Sequence, residues 1–122
     1  GPGTYGLSNA LLDGPWDKVA RSKRKLQELL ADGDISEGTL IHLMSDRNKG
    51  PMAEVERGRL DVETAHAITA PFIVTAEYGT RCSTIGRADS NGRWDLQERR
   101  FDASGDNVGE SRYSFNVVVD SD

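Results

Sequence analysis

The stretch that decides the fold is residues 80–102, "TRCSTIGRADSNGRWDLQERRFD". Two alternating runs, Thr80 to Asp89 and Arg93 to Asp102, flank Ser90-Asn91-Gly92, whose Asn-Gly pair supplies the positive φ values of a tight hairpin turn. The stretch therefore predicts two antiparallel strands. Along the first, Arg81, Ser83, Ile85 and Arg87 alternate with Cys82, Thr84 and Gly86, so each set shares one face. A mid-strand cysteine reads as a small buried apolar residue, although a neighbouring cation such as Arg81 would also stabilise a thiolate.

Downstream, the Gly-rich connection "ASGDNVGE" leads to a last strand, Arg112 to Val119. Upstream, Pro71 to Val74 reads as a short buried strand and Val62 to Thr69 as one or two helical turns. A first helix is predicted from near Pro15, a residue favoured in the first turn, to Ala31-Asp32-Gly33. Its inward face carries Trp16, Val19, Ala20, Leu26, Leu29 and Leu30 at spacings of three and four. A second runs from Ser36, its N-cap, to about Ser45, with Leu40, Leu43 and Met44 inward. Thr4 to Ser8 is a candidate strand, and the polar residues 46–61 read as a flexible loop. The order predicts a single α+β domain, helices packed on one face of a mostly antiparallel sheet.

With 122 residues, 36% of them apolar and 29% charged, the chain falls among globular domains with a modest core. A net charge of -5 argues against a general nucleic-acid binder. One cysteine makes no internal disulfide, which fits a reducing compartment and points to the cytoplasm. No run approaches 18 apolar residues and no basic-then-apolar leader opens the chain, so neither membrane insertion nor signal-driven export is expected. The start Gly1-Pro2-Gly3 reads as that of a fragment or processed chain, or as a remnant of tag removal.

Five cations, Lys18, Arg21, Lys23, Arg24 and Lys25, crowd the first helix, and Lys18, Arg21 and Lys25 share one side at helical spacing. That side is either a solvated face or a dock for an anionic ligand. His42 and His66 have no ligand-spaced neighbours, so no metal site is expected. No phosphate-cradling glycine loop, no cofactor motif and no Ser-His-Asp or Cys-His arrangement is present. Asn9, directly after the first candidate strand, either caps a turn or donates to an oxyanion.

Four stretches, "YGLSNALLDGPWDKV" (5–19), "EYGTRCSTI" (77–85), "ERRFD" (98–102) and "RYSF" (112–115), resemble the C-terminal half of the NRDE family, which includes the Transport and Golgi organization protein 2 homologues. The resemblance implies the second half of an αββα sandwich similar to the N-terminal-nucleophile hydrolases. That family's cysteine follows the initiator methionine, with an Asn-Arg-Asp-Glu motif shortly after; neither lies in these residues. A full-length protein of this kind would act on a C–N amide bond or related acyl group, and the isolated 122 residues would hold no complete active site. "LSNALL" is similar to the Thr-Asn segment of choloylglycine-type acylases, which makes Asn9 a candidate oxyanion donor. Arg81 falls in the family's Tyr-Gly-Thr-Arg motif, where it would orient a substrate carboxylate or the absent cysteine thiolate. The competing expectation is a non-enzymatic haem- or lipid-related binding protein, its anionic ligand held by Lys18, Arg21 and Lys25. Sheet edges left bare by a missing half would favour a homo-oligomer.

Overall fold

The computed structural model describes residues 1–8, 16–55 and 58–118. The hairpin forms where alternation and Asn-Gly place it: β1, Cys82–Ala88, pairs antiparallel with β2, Arg93–Phe101, in a register running from Cys82↔Arg100 to Ala88↔Trp94. At the turn the Asp89 carboxylate accepts the N–H groups of Asn91 (2.9 Å) and Arg93 (3.0 Å), and Gly92 takes the left-handed φ of 83°. The same chemistry recurs thirteen positions later. Asp102 accepts from the N–H groups of Ser104 and Asp106, each at 2.9 Å, and Gly105 has φ 81°.

This second turn makes β3, Asn107–Asn116, begin at 107 instead of the expected 112. Half of the supposed connection is therefore strand, and the sheet order is β1-β2-β3. The expected strand end at Val119 lies outside the described residues.

Helix α1, Asp17–Asp32, ends as its sequence demands: the N–H groups of Gly33 and Asp34 donate to the carbonyls of Leu30 and Leu29, and Gly33 adopts φ 73°. Its expected start at Pro15 falls outside the described residues, and Trp16 is the N-cap. Helix α2, Glu37–Met44, starts at Ser36, whose hydroxyl accepts the Thr39 N–H at 3.4 Å. Because α2 lies between α1 and β1, its most buried residue is Ile41, which the sequence reading passed over. Leu43 is buried with it, Leu40 is half-buried and Met44 sits at the exposed rim. On α1, Val19 is buried and Trp16, Leu26 and Leu29 are half-buried, whereas Ala20 and Leu30 are exposed, contrary to their assignment to the core.

Helix α3, Val62–Ala67, is capped by Asp61, which accepts the Thr64 N–H at 2.7 Å. Within 46–55 the chain contains a short 3-10 turn, Met52–Glu54, and both Asp46 and Gly50 are buried. Two expected strands are absent. Thr4–Ser8 belongs to no strand and instead runs against α1, so closely that a Cβ on Gly6 would meet Val19 Cγ1 at 2.5 Å. Pro71–Val74 makes a single bridge, Val74↔Gly79, because the chain reverses at once. No helix among the described residues is long and apolar enough to cross a membrane.

The helices cover one face of the sheet at β1, giving the expected α+β layering. Ser83 and Gln97 are buried on that side, and Arg87 and Arg112 both reach Glu37 at the start of α2, at 3.7 and 3.1 Å. Cys82 belongs to the opposite face and is exposed, which corrects its reading as a buried residue. The core proper is small. Among the described residues its buried hydrophobic members are Val19, Ile41, Leu43, Phe72, Phe101 and three alanines.

Candidate functional site

The motif Tyr78-Gly79-Thr80-Arg81 divides into two residues that build and two that present. Thr80 returns the chain to Ile73: its N–H donates to the Ile73 carbonyl at 2.9 Å and its hydroxyl accepts the Ile73 N–H at 2.9 Å. Gly79 passes so near that strand-like partner that a Cβ would lie 2.8 Å from the Ile73 carbonyl oxygen, a contact no side chain tolerates. At the tip, the Thr75 N–H donates to the Tyr78 carbonyl (2.9 Å) and the Tyr78 N–H donates to the Thr75 hydroxyl (2.9 Å). The turn is thus closed by backbone and threonine bonds alone, which leaves the Tyr78 ring and the Arg81 head exposed.

Arg81 is anchored through its backbone, whose carbonyl accepts the Phe101 N–H at 2.8 Å. Among the described residues its guanidinium has no partner. Every other arginine of the sheet does: Arg87 has Glu37, Arg93 has Asp95, Arg99 has Glu110, Arg100 has Glu98, and Arg112 has Glu37 and Glu110. Arg81 helps line a cleft of about 180 Å³ with Thr75, Glu77, Tyr78, Thr80 and Asp102. Tyr78 also lines a larger cleft of about 680 Å³, together with Lys49, Arg59, Glu63 and Glu77. Asp61, also on its wall, is held below the ordinary carboxylate range by the Thr64 N–H and hydroxyl. Its charge serves the cap of α3.

Lys18, Arg21 and Lys25 of α1 each meet a partner within the chain. Arg21 donates from Nε to Asp46 Oδ2 and from Nη1 to Asp17 Oδ2, each at 2.9 Å, and its Nη2 donates to the Asn48 carbonyl. Lys25 lies 3.6 Å from the same Asp46 oxygen, and Lys18 donates to the Ile68 carbonyl at 3.3 Å. Asp46, its side chain 4% exposed, is the hub that the sequence reading missed, being 25 positions from Arg21. Burial pushes its carboxyl up, but the Asn48 N–H at 2.9 Å and the charges of Arg21 and Lys25 outweigh that, and the net shift is downward.

Asn9 lies outside the described residues. Just before it, Tyr5 to Ser8 form one wall of a groove of about 370 Å³ against α1 and α2, lined by Leu7, Val19, Leu26, Leu43 and Met44, with Lys18 at its side. His66 Nε2 is 2.8 Å from the Gly50 carbonyl and His42 is exposed; among the described residues no group of ligating side chains is gathered for a metal ion.

A family model described as Transport and Golgi organisation 2 matches residues 1–103. The chain is 32% identical to the mouse (Mus musculus) Transport and Golgi organization 2 homolog, over 80% of this chain and 38% of that protein. With the same coverage it is 36% identical to the homolog from Bos taurus and 30% identical to that from Homo sapiens. The chain therefore spans 38% of the length of the curated relatives it matches.

Proposed function

Because the chain belongs to the Transport and Golgi organisation 2 family, the NRDE family of the sequence resemblance, we propose that it is the C-terminal part of a longer amide or acyl hydrolase. In this reading an N-terminal cysteine outside these 122 residues attacks the acyl carbon. The C–N bond breaks, the amine leaves with a proton, and water then cleaves the thioester. Arg81 binds the substrate carboxylate or the attacking thiolate, and Asn9 donates to the oxyanion. The observation that supports this best is the unpaired Arg81 guanidinium at a cleft wall, in a sheet whose other arginines are all matched by carboxylates. An exposed cation without a partner among the described residues, on a backbone fixed by Phe101, is a ready anion receptor.

The test uses the native-length protein and a panel of N-acyl amides. Losing a charge-assisted hydrogen bond costs about 1.5–3 kcal/mol, so Arg81→Ala should lower kcat/KM by roughly 10–100-fold, with partial recovery in Arg81→Lys. An Arg81→Ala enzyme within twofold of wild type would overturn the role.

The groove beside Tyr5–Ser8 favours a second reading, a non-enzymatic carrier of an amphipathic anion such as a haem or a lipid. Apolar walls would take the body of the ligand and Lys18 its charge. The two readings separate on the N-terminal cysteine: its replacement by alanine abolishes hydrolysis, whereas a carrier survives that change and weakens with Lys18→Glu.

A further inference from the structure

The larger cleft beside Tyr78 gathers charges of both signs that do not close on each other. Lys49, Arg59, Glu63 and Glu77 all line it, all four are exposed, and among the described residues none of their side chains has a hydrogen bond or an ion pair. Elsewhere in the fold opposite charges brought together do pair, as Arg21 does with Asp17 and Asp46, Arg99 with Glu110 and Arg112 with Glu37. Asp61, the remaining charged residue of the wall, is occupied by the Thr64 N–H and hydroxyl at 2.7 and 3.0 Å. Three of the four free heads ride on fixed backbone. Gly50, next to Lys49, donates its N–H to the Thr69 hydroxyl at 2.7 Å and sets its carbonyl 2.8 Å from His66 Nε2. Glu63 stands in the first turn of the capped α3, and Glu77 in the turn that Thr75 and Tyr78 close.

We propose that this cleft binds a small zwitterion, a molecule with an ammonium at one end and a carboxylate at the other, the ammonium meeting Glu63 and Glu77 and the carboxylate meeting Lys49 and Arg59. Charge balance selects this class. The four free heads cancel, and Asp61 makes the wall as a whole negative. A simple anion would therefore face three carboxylates, and a simple cation would leave Lys49 and Arg59 without a partner. A dipolar ligand satisfies both sets at once. The volume of about 680 Å³ lies within the range of small-molecule pockets, and Leu60, Ala67 and Val74 on the same wall would take the methylenes between the two ends. Arg81 is not among the lining residues, so the site stands independently of the hydrolase reading.

The test is an NMR titration of the native-length gene product with glycine, 4-aminobutyrate and 6-aminohexanoate, zwitterions of increasing charge separation that hold no amide bond and so cannot be turned over. Hexanoate and hexylamine, which keep one charge each, serve as controls. The expected result is a saturable shift of the amide signals of Lys49, Glu63, Glu77 and Tyr78 with at least one zwitterion, and binding at least fivefold weaker for both controls. Two variants assign the ends. Glu63→Gln should narrow the gap between the zwitterion and hexanoate, and Lys49→Gln the gap between the zwitterion and hexylamine, each leaving the other gap in place. Equal binding of hexanoate would make the cleft an anion site and overturn the proposal, as would no saturable shift at millimolar concentration, shifts confined to other residues, or gaps that neither variant narrows. Because no turnover is measured, any of these results leaves the role of Arg81 to its own test.

Discussion

Replacing Phe72 with alanine is expected to destabilise the chain by about 4 kcal/mol, the usual cost of deleting a buried ring. Phe72 is 2% exposed and meets Phe101 edge to face, with ring centroids 4.7 Å apart and planes at 89°. The Arg47 guanidinium lies 5.2 Å from its centroid, and the Phe72 backbone N–H donates to the Asp46 carbonyl at 2.8 Å. One side chain thus joins the loop after α2 to the end of β2. A small domain of this length is stable by roughly 6–18 kcal/mol, so the loss is a large share of the total. Urea unfolding should show it as a lower midpoint; a loss under about 1 kcal/mol would mean that the ring is not the centre of this core. The same change should disturb Arg81, because the Phe101 N–H holds the Arg81 carbonyl.

The second large effect is at Asp46. Asp46→Asn removes the charge that faces Arg21 and Lys25 and should cost about 2 kcal/mol near neutral pH, the scale of a charge-assisted hydrogen bond, since Arg21 then keeps Asp17 and the Asn48 carbonyl but loses its most buried carboxylate. The pH dependence follows from the direction of the shift. A carboxylate whose folded pKa is depressed stabilises the fold fully above its unfolded pKa, about 3.9, and loses that contribution as pH falls through its lower folded value. The gap between wild type and Asp46→Asn should therefore be constant above about pH 5 and close progressively below about pH 4. A gap that stays constant to the lowest pH at which both proteins fold would contradict this role for the carboxylate.

The sequence was most informative where the signal is local. Asn91-Gly92 located the first hairpin, Ser36 the start of α2 and Gly33 the end of α1, because each acts on backbone groups within a few residues. The second hairpin was equally local, and an Asp-x-x-Gly spacing shared by 89–92 and 102–105 would have found it. Long-range pairing was not legible. Arg21, Lys25 and Lys18 have the spacing of an anion-binding face, and only the fold shows that Asp46 and the Ile68 carbonyl stand opposite them. Tyr78 and Arg81 gained meaning the same way, once Gly79 and Thr80 proved to be used up in the turn. Alternation correctly gave the strands two faces, but it could not say which face the helices cover. Cys82 therefore reads as interior in the sequence yet is exposed in the fold, and the stacking of Trp94 on Phe115 has no local signal.

The most direct test of the account is the intact mass and N-terminal residue of the protein expressed from its native gene. The account predicts a longer chain that begins with cysteine once the initiator methionine is removed and carries residues 1–122 toward its C-terminal end. A mature chain that begins at or near Gly1 would contradict it, because no N-terminal thiol would then exist for Arg81 and Asn9 to serve.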